Sequence, residues 1–467
     1  MPPHQIRFVT ACQQLLALGV VLAVLTPAAS VISLDVVHDA PSATADGTLA
    51  AQLSAYTREA GRSSTVPDQV VDPAVTEVAL TAPAGASART RTAAAANVLR
   101  AGSDAVTSVA EPVEGYGAVG VTWQPGTRVP EDDIALQVRT RTDSTWSAWM
   151  DFEYHDDHGP DPGSAEAKHA RPGTDALLVG DVDDVQVKVS TDEGALPADL
   201  RLAVVDPGEA TRTAVEHPAL DAGAGTAEST PDPTTPGSTT PGSVETDPGD
   251  GTAGSDQIDL QAATFTPKPQ IYSRAQWGAD ERMRDKPSLH FFEVHAGFVH
   301  HTVNANDYSR EQVPGIIRSI YAYHTKSRGW SDIGYNFLVD RFGRIWTGRA
   351  GGTAKAVRGA HTLGFNSSST GIAVIGNFEE AEARQRVIKA IVHLSAWKLD
   401  AYGRKPAGNT RVRSLGSDKF ASGRRVRLPV IDGHRDTNDT ACPGEHLYAA
   451  LPVIRARTQA RVDRFER

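Results

Sequence analysis

Residues 433–444 read GHRDTNDTACPG, and residues 298–302, far upstream, read FVHHT at the end of an apolar stretch. Together the two segments supply imidazoles and one thiol, the side chains that zinc prefers. A zinc ion with three protein ligands keeps a fourth position for water, which becomes a strong nucleophile near neutral pH. The two segments therefore indicate a hydrolase that holds zinc.

The histidine pair can contribute only one ligand to a given metal ion. His300 and His301 are adjacent in a predicted strand, so their side chains point to opposite faces. His434 and Cys442 are eight residues apart with a proline next, which predicts a loop that folds back. These separations alone are a weak indication, and a core histidine with a buried cysteine is the simpler alternative.

The C-terminal part of the chain alternates between strand-like and helical patterns. Strands are predicted at 293–300, 334–340, 371–376 and 430–432, and helices at 309–327, 380–401 and 445–465. Ser309 and Gln312 form a capping box at the first helix, whereas Pro452 weakens the last one. The order predicts an α/β domain over residues 263–467, with a mixed sheet flanked by helices.

A second, smaller domain is predicted upstream. Residues 112–206 contain alternating runs such as Val185, Val187 and Val189, the period of half-buried strands. We predict a small all-β sandwich there. It is preceded by a low-complexity, poorly ordered stalk (31–111) and followed by a Pro/Thr/Gly-rich linker (207–262), which we expect to be a disordered spacer between two folded units.

One acidic turn in the predicted sandwich has two interpretations. Asp156, Asp157, His158 and Asp161 gather oxygen ligands, so a calcium site is one of them. The spacing matches no specific calcium loop, and Gly-Pro and Pro-Gly pairs surround the cluster. A solvated acidic turn is therefore the favoured interpretation.

The N-terminus predicts export. His4 and Arg7 precede a short apolar run at 15–25 and small residues at 28–30, which is typical of a signal peptide over residues 1–30. An uncleaved membrane anchor is the alternative. We expect a secreted or cell-wall-associated protein, without a membrane span after cleavage, in which Cys442 is the one remaining cysteine because Cys12 leaves with the signal.

Charge is divided unevenly along the chain. Residues 1–270 hold 15 Lys and Arg against 38 Asp and Glu, a net charge of −23, whereas residues 271–467 hold 31 against 19, a net charge of +12. A basic C-terminal part suits an anionic cell-wall polymer, although a solvated surface without a partner explains it equally well. Nucleic acid is not expected as a partner of an exported protein.

Six motifs around the histidines and the cysteine occur in one order. They are residues 298–302 (FVHHT), 332–337 (DIGYNF), 359–362 (GAHT) with Asn366, 371–372 (GI), 433–436 (GHRD) and 440–444 (TACPG). This set resembles the peptidoglycan recognition protein family, that is, the type 2 N-acetylmuramoyl-L-alanine amidases, over about 185 residues from Tyr272 to Arg457.

The resemblance implies roles for individual residues. It implies zinc ligands at His300, His434 and Cys442, catalytic positions at Tyr335 and Thr440, and substrate-binding positions at His361 and Asn366. The tyrosine would activate the zinc water or steady the scissile carbonyl, and Thr440 stands where some members have lysine. Asp436 either orients a ligand histidine or pairs with Arg435.

The resemblance also implies the reaction and its partner. The expected activity is zinc-dependent hydrolysis of the amide between N-acetylmuramic acid and L-alanine in peptidoglycan. Members that only bind peptidoglycan typically lack the cysteine or the tyrosine, and this chain keeps both. The alternatives are a non-catalytic peptidoglycan-binding module and a structural wall protein that acts through residues 112–206.

Two stretches depart from the family pattern. The Gly-Trp and arginine that animal members use for diaminopimelate are absent from residues 349–358, so the resemblance implies no stem-peptide preference. Residues 404–429 form an added, arginine-rich hairpin. It could contact an anionic wall polymer, whereas a solvated loop is the favoured interpretation.

Overall fold

The computed structural model describes residues 64–216 and 266–465, apart from positions 103, 153, 155, 156 and 193. The predicted signal peptide, residues 31–63 of the predicted stalk and most of the predicted linker lie outside the described residues. None of the helices in the two described ranges has the length and hydrophobicity needed to cross a membrane.

The first described range forms a β domain. Its strands are β1 (Thr65–Pro67), β2 (Ala74–Ala79), β3 (Val98–Ala101), β4 (Ala105–Ser108), β5 (Glu111–Pro112), β6 (Tyr116–Thr122), β7 (Ile134–Thr142), β8 (Thr145–Trp146), β9 (Met150–Asp151), β10 (Leu177–Asp181), β11 (Asp184–Thr191), β12 (Arg201–Asp206) and β13 (Thr213–Val215). Helix α1 (Ala88–Ala95) begins after Ser87, whose Oγ accepts a hydrogen bond from the backbone N–H of Thr90.

Two sheets of this domain pack face to face. One has the order β10-β6-β12-β2, and the other has the order β3-β4-β11-β7-β8, with β5 on β11 and β9 on β7. Alternating residues of both sheets, such as Val119, Leu202, Leu136 and Val187, fill a common core. The structure is therefore the expected β-sandwich.

The boundaries of the sandwich differ from the prediction. Strand β2 pairs along its whole length with β12, so residues 64–111 belong to the sandwich and not to a stalk. Residues 213–215 pair with β1, which moves the end of the domain past 206. Strand β2 was not recognisable from the sequence because it lies at a sheet edge and most of its side chains are exposed or half-buried. Its residues therefore show no clear hydrophobic alternation.

The second described range forms an α/β domain. Its strands are β14 (Ile271–Tyr272), β15 (Ala296–His301), β16 (Phe337–Val339), β17 (Ile345–Thr347), β18 (Ser369–Val374), β19 (Asn409–Arg413), β20 (Arg425–Pro429) and β21 (Ile431–Gly433). Its α-helices are α2 (Val313–Ala322), α3 (Gln385–Asp400) and α4 (Glu445–Asp463), and the turn Tyr323–Ser327 extends α2. The sheet order is β14-β17-β16-β18-β15-β21, with β16 and β17 antiparallel and the other pairs parallel, so the mixed sheet is confirmed.

Local chemistry sets the helix ends. The predicted capping box forms, since the N–H of Ser309 donates to Gln312 Oε1 (2.7 Å) and the N–H of Gln312 donates to Ser309 Oγ (3.4 Å). Helix α3 begins at Gln385, five residues later than predicted. Residues 404–429 do contain a hairpin, formed by β19 and β20.

The two domains pack against each other through α2. All ten residues of α2 are buried, and its one charged side chain, Arg318, donates hydrogen bonds to the carbonyl oxygens of Pro207, Gly208 and Trp277. One face joins the β domain in a common core that includes Ala118 and Val205. Gly120 leaves room for the Tyr323 ring, because a Cβ there would lie 2.1 Å from its Cζ. The expectation of two separately tethered units is therefore wrong for residues 64–216 and 266–465.

Candidate metal centre

Four metal-binding side chains meet beyond the carboxyl ends of the parallel strands. His300 lies near the end of β15, His434 directly follows β21, and Cys442 lies in the next loop. The fourth, His158, comes from the β domain, on the segment between β9 and β10. One ligand atom from each lies within 4.8 Å of the others, and all four residues are buried. The structure thus brings the three predicted ligands together and adds another.

Two separations test whether a metal ion fits between them. His300 Nδ1 lies 3.3 Å from His158 Nε2 and 3.7 Å from Cys442 Sγ. Tetrahedral coordination at zinc–nitrogen and zinc–sulfur bond lengths sets the donor atoms roughly 3.3–3.8 Å apart. The donor types and their spacing therefore fit the zinc ion that the resemblance implies.

The two adjacent histidines face different surroundings. The second nitrogen of His300, Nε2, lies 3.2 Å from His361 Nδ1 and 3.3 Å from Thr362 Oγ1. His301 points away, and its Nδ1 accepts a hydrogen bond from the backbone N–H of Phe378 (3.3 Å). Burial, followed by the neighbouring imidazoles, holds the pKa of His300 well below its usual range, so the ring is in the neutral form that binds metals.

The loop from His434 to Cys442 folds back as predicted. The backbone N–H of Arg435 donates to the Cys442 carbonyl oxygen (2.9 Å), which closes the loop. Thr440 Oγ1 accepts from the backbone N–H of Cys442 (3.3 Å), so this residue supports the loop. Burial raises the pKa of the Cys442 thiol, and a bound metal ion would hold it as the thiolate.

Asp436 follows neither of its two predicted roles. Its Oδ2 accepts from the backbone N–H of Gly433 (3.1 Å), and its Oδ1 accepts from the hydroxyl of Tyr448 (2.7 Å). Arg435 pairs instead with Glu379 and Glu445. Asp436 therefore fixes the turn that follows β21.

A carboxylate of the β domain orients His158. Asp175 Oδ2 lies 2.7 Å from His158 Nδ1, which directs Nε2 toward His300. A carboxylate behind a histidine is the arrangement that commonly orients metal ligands. Burial alone would lower the pKa of His158, but Asp175 and Asp157 raise it well above its usual range. Metal binding would therefore displace a proton from this ring.

Tyr335 lies beside the four ligands. Its ring centroid is 5.6 Å from that of His300 and 5.9 Å from that of His158. Burial raises the pKa of Tyr335 well above its usual range, and the nearby carboxylates and Cys442 raise it further. The phenol therefore keeps its proton and can act as a hydrogen-bond donor.

The two predicted substrate-binding residues are buried in this structure. His361 contacts His300 and fits against Gly371, where a Cβ would lie 2.4 Å from its ring. Burial lowers the pKa of His361 to about 3. The side-chain oxygen of Asn366 accepts from the backbone N–H of His361 (2.7 Å), and its Nδ2 donates to Gly159 O and Asp161 Oδ1, both at 2.9 Å.

The described residues of the acidic turn are not solvated, and its histidine lies among nitrogen and sulfur donors. Asp157, His158 and Asp161 are buried against the α/β domain, and His158 joins a cluster of imidazoles and a thiol. The favoured solvated interpretation was wrong because it weighed the turn by its own charges alone. The useful signal was the histidine, since an imidazole among carboxylates suits zinc better than calcium.

Comparisons with known families match both domains. A model of the N-acetylmuramoyl-L-alanine amidase family matches residues 291–445. A model described as the Rv3811 N-terminal galactose-binding domain-like family matches residues 54–235. The second match begins before residue 112, in agreement with the early strands of the sandwich.

Individual proteins are similar to about two fifths of the chain. Peptidoglycan-recognition protein SC2 of Drosophila melanogaster is 31% identical over 180 residues, which cover 38% of this chain and 82% of that protein. N-acetylmuramoyl-L-alanine amidase of Homo sapiens is 31% identical over 190 residues, which cover 39% of this chain and 28% of that protein. The structure of Drosophila PGRP-LB shares 29% identity and covers 39% of this chain and 92% of that chain, with a TM-score of 0.31.

Proposed function

This chain belongs to the peptidoglycan recognition protein family, and we propose that it is a zinc-dependent N-acetylmuramoyl-L-alanine amidase. The observation that carries the proposal is the meeting of His300, His434 and Cys442 at one edge of the sheet, with Tyr335 beside them. The proposed reaction hydrolyses the amide between N-acetylmuramic acid and L-alanine. It yields a free stem peptide and a glycan with a free lactyl carboxylate.

The chain contributes positioning and a hydrogen-bond donor to this reaction. When bound, zinc would act as a Lewis acid and lower the pKa of the water it binds. Thr362 and His361 contact the outer nitrogen of His300 and fix the direction of its ring. Tyr335 would donate a hydrogen bond to the oxygen of the scissile carbonyl as negative charge develops there, a contribution that is strong in a buried site.

The alternative is a family member that binds peptidoglycan without cutting it. One observation favours this alternative, namely that His158 completes a set of four protein donors. Zinc sites with four protein ligands are usually structural. Retention of both Cys442 and Tyr335 supports catalysis instead.

Product analysis distinguishes the two. Zinc-loaded full-length protein and its His158→Ala variant would be incubated with purified peptidoglycan, and the products identified by mass spectrometry. We expect stem peptides that begin with L-alanine from at least one of the two proteins, and none after Cys442→Ala in the same background. The amidase proposal fails if both proteins hold zinc and bind peptidoglycan but release no peptide.

We also propose an extracellular, wall-associated location with an anionic wall polymer as a second partner. Support comes from the signal-like segment at residues 1–30 and from the hairpin of β19 and β20. There Arg411 lies opposite Arg427 and Arg413 opposite Arg425, all exposed. Like charges placed opposite each other repel, and an anionic ligand would relieve that repulsion.

A binding experiment with isolated anionic wall polymer tests this second partner. Binding should weaken with added salt and in the double variant Arg411→Ser with Arg427→Ser. Unchanged binding would contradict the proposed polymer contact.

A further inference from the structure

We propose that the β domain holds this enzyme latent, with residues 157–166 seated in the catalytic groove and His158 as the fourth protein ligand of the metal. This inference rests on the proposed amidase function and specifies how that site is regulated. We name residues 157–166 the blocking segment. It lies between β9 and β10 and belongs to the β domain by sequence.

Burial shows that the blocking segment is seated and not merely close. Its four ionisable residues, Asp157, His158, Asp161 and Glu166, are each no more than 4% exposed. Burying charged groups costs several kcal/mol unless they are paired. His158 is paired with Asp175 of the β domain, and Asp157 Oδ2 lies 3.6 Å from His434 Nε2. Asp161 and Glu166 find their hydrogen-bond partners on the α/β domain.

His158 occupies the position that a reacting water would need. Its Nε2 lies 3.3 Å from His300 Nδ1, at the spacing of two donors on one tetrahedral ion. Catalytic zinc sites keep one position free of protein ligands, whereas sites with four protein ligands are closed. The metal centre in this conformation is therefore of the closed kind, and opening it requires His158 to leave.

Asp161 occupies the position that the resemblance gives to the muropeptide. Its Oδ1 accepts from the side chain of Asn366 (2.9 Å) and from the backbone N–H of Gly364 (3.0 Å), and its Oδ2 accepts from Ser367 Oγ (3.0 Å). The Asn366 amide that would bind substrate is thus engaged by the blocking segment. Substrate and segment compete for one donor.

Glu166 anchors the far end of the segment. Its carboxylate receives two hydrogen bonds from Arg349, at 2.7 and 3.1 Å, and one from the backbone N–H of Ser331 (2.9 Å). A guanidinium that binds a carboxylate through two parallel bonds gives a strong and directional contact. The two ends of the segment are therefore held independently, one at the metal and one at Arg349.

Contacts outside the blocking segment also attach the two domains, so the segment can leave without separating them. Arg318 of α2 donates to the Pro207 and Gly208 carbonyl oxygens, both at 2.7 Å, and Tyr323 donates to Thr174 O (2.9 Å). These contacts involve α2 and its extension. A segment tethered in this way competes at an effective concentration on the order of millimolar, so a substrate of equal intrinsic affinity would have to exceed that concentration to displace it.

Two measurements on the full-length protein test the inference, with His169→Ala as the matched control because His169 follows the segment closely and is exposed. In the first, cobalt replaces zinc and azide is added. We expect the visible spectrum of the wild type and of His169→Ala to stay unchanged, and that of His158→Ala to shift as azide takes the vacated position. A spectral shift in the wild type overturns the closed metal site.

The second measurement is stem-peptide release from peptidoglycan. We expect His158→Ala to exceed the wild type and His169→Ala by about tenfold or more, as the fraction of open protein rises. Glu166→Gln keeps all four metal donors and should give a smaller increase, which covers the case in which His158→Ala binds metal poorly. Equal release by wild type, His158→Ala and Glu166→Gln overturns latency but leaves the amidase function standing. If none of the three proteins releases peptide and azide gives the expected spectra, the amidase proposal is refuted and the closed metal site still stands.

Discussion

The candidate metal centre is assembled from two regions that differ in how they are held. His300 and His434 lie at the ends of neighbouring parallel strands, β15 and β21, and Cys442 lies in a loop closed by backbone hydrogen bonds. His158 lies on a segment of another domain and is positioned by Asp175 and by domain packing. Three donors are thus fixed within the α/β domain, whereas the fourth depends on the blocking segment of the β domain. This difference suggests a division of roles, in which the α/β domain binds the metal and His158 of the β domain controls access to it.

Removal of a sheet-borne donor should have the largest effect. In a His158→Ala background, His300→Ala should lower stem-peptide release by about a thousandfold or more, because the several kcal/mol that the metal supplies are lost with it. His301→Ala is the control, since this neighbouring ring contacts the backbone of Phe378 instead. Release rates and zinc content per molecule check the prediction. A similar loss in both variants would contradict the assignment of His300 alone as the ligand.

Tyr335 should matter nearly as much for the reaction and little for the metal. In the same background, Tyr335→Phe removes the one hydroxyl and should lower kcat by about a hundredfold to a thousandfold, the usual cost of losing a donor to a developing oxyanion. Zinc content should remain equal to that of the parent protein. Loss of zinc together with activity would show that the tyrosine is structural.

The resemblance assigned His300, His434 and Tyr335, and the two histidines were also within reach of the residue pattern itself, for a physical reason. Parallel strands bring their carboxyl ends to one edge, so His300 and His434 could be placed together once the α/β order was known. The strand alternation also showed that only one of His300 and His301 can face a given metal ion, and the resemblance identified it as His300. The mixed sheet and the capped helix follow from periodicity and from Ser309 and Gln312 in the same way.

His158 was out of reach for the complementary reason. It lies 142 residues from His300 in the chain, and the contact depends on two domains packing through α2. Local spacing says nothing about such packing. The short edge strand β2 was not predicted for a related reason. Its pairing with β12 supplies the stability that its own side chains do not.

Substitution of Asp175, the carboxylate that orients His158, should affect His158 and leave the other three donors in place. Asp175→Asn weakens the hydrogen bond that directs His158 and should speed both zinc loss to a chelator and peptide release by about tenfold, at the low end for such partners. Asp181→Asn, an exposed aspartate on β10, is the matched control. If Asp175→Asn matches the control in both assays, His158 does not take part in the metal site.

Thr440 should show the smallest effect of the set. Its hydroxyl supports the backbone N–H of Cys442, so Thr440→Ala should cost about 1 kcal/mol of stability and, at most, about fivefold in rate. Thermal unfolding and peptide release, compared with Asp439→Ala, measure both. A loss of several hundredfold in rate would instead support the catalytic role that the resemblance gives to this position.

The most direct test of the account is the coordination shell of zinc in the full-length protein, measured by X-ray absorption. The account predicts one sulfur at about 2.3 Å and three nitrogens at about 2.0 Å, with outer-shell scattering from three imidazoles. His158→Ala should show two imidazoles and one light-atom ligand from solvent. Two imidazoles and a solvent ligand in the wild type would contradict the account, because His158 would then not close the site.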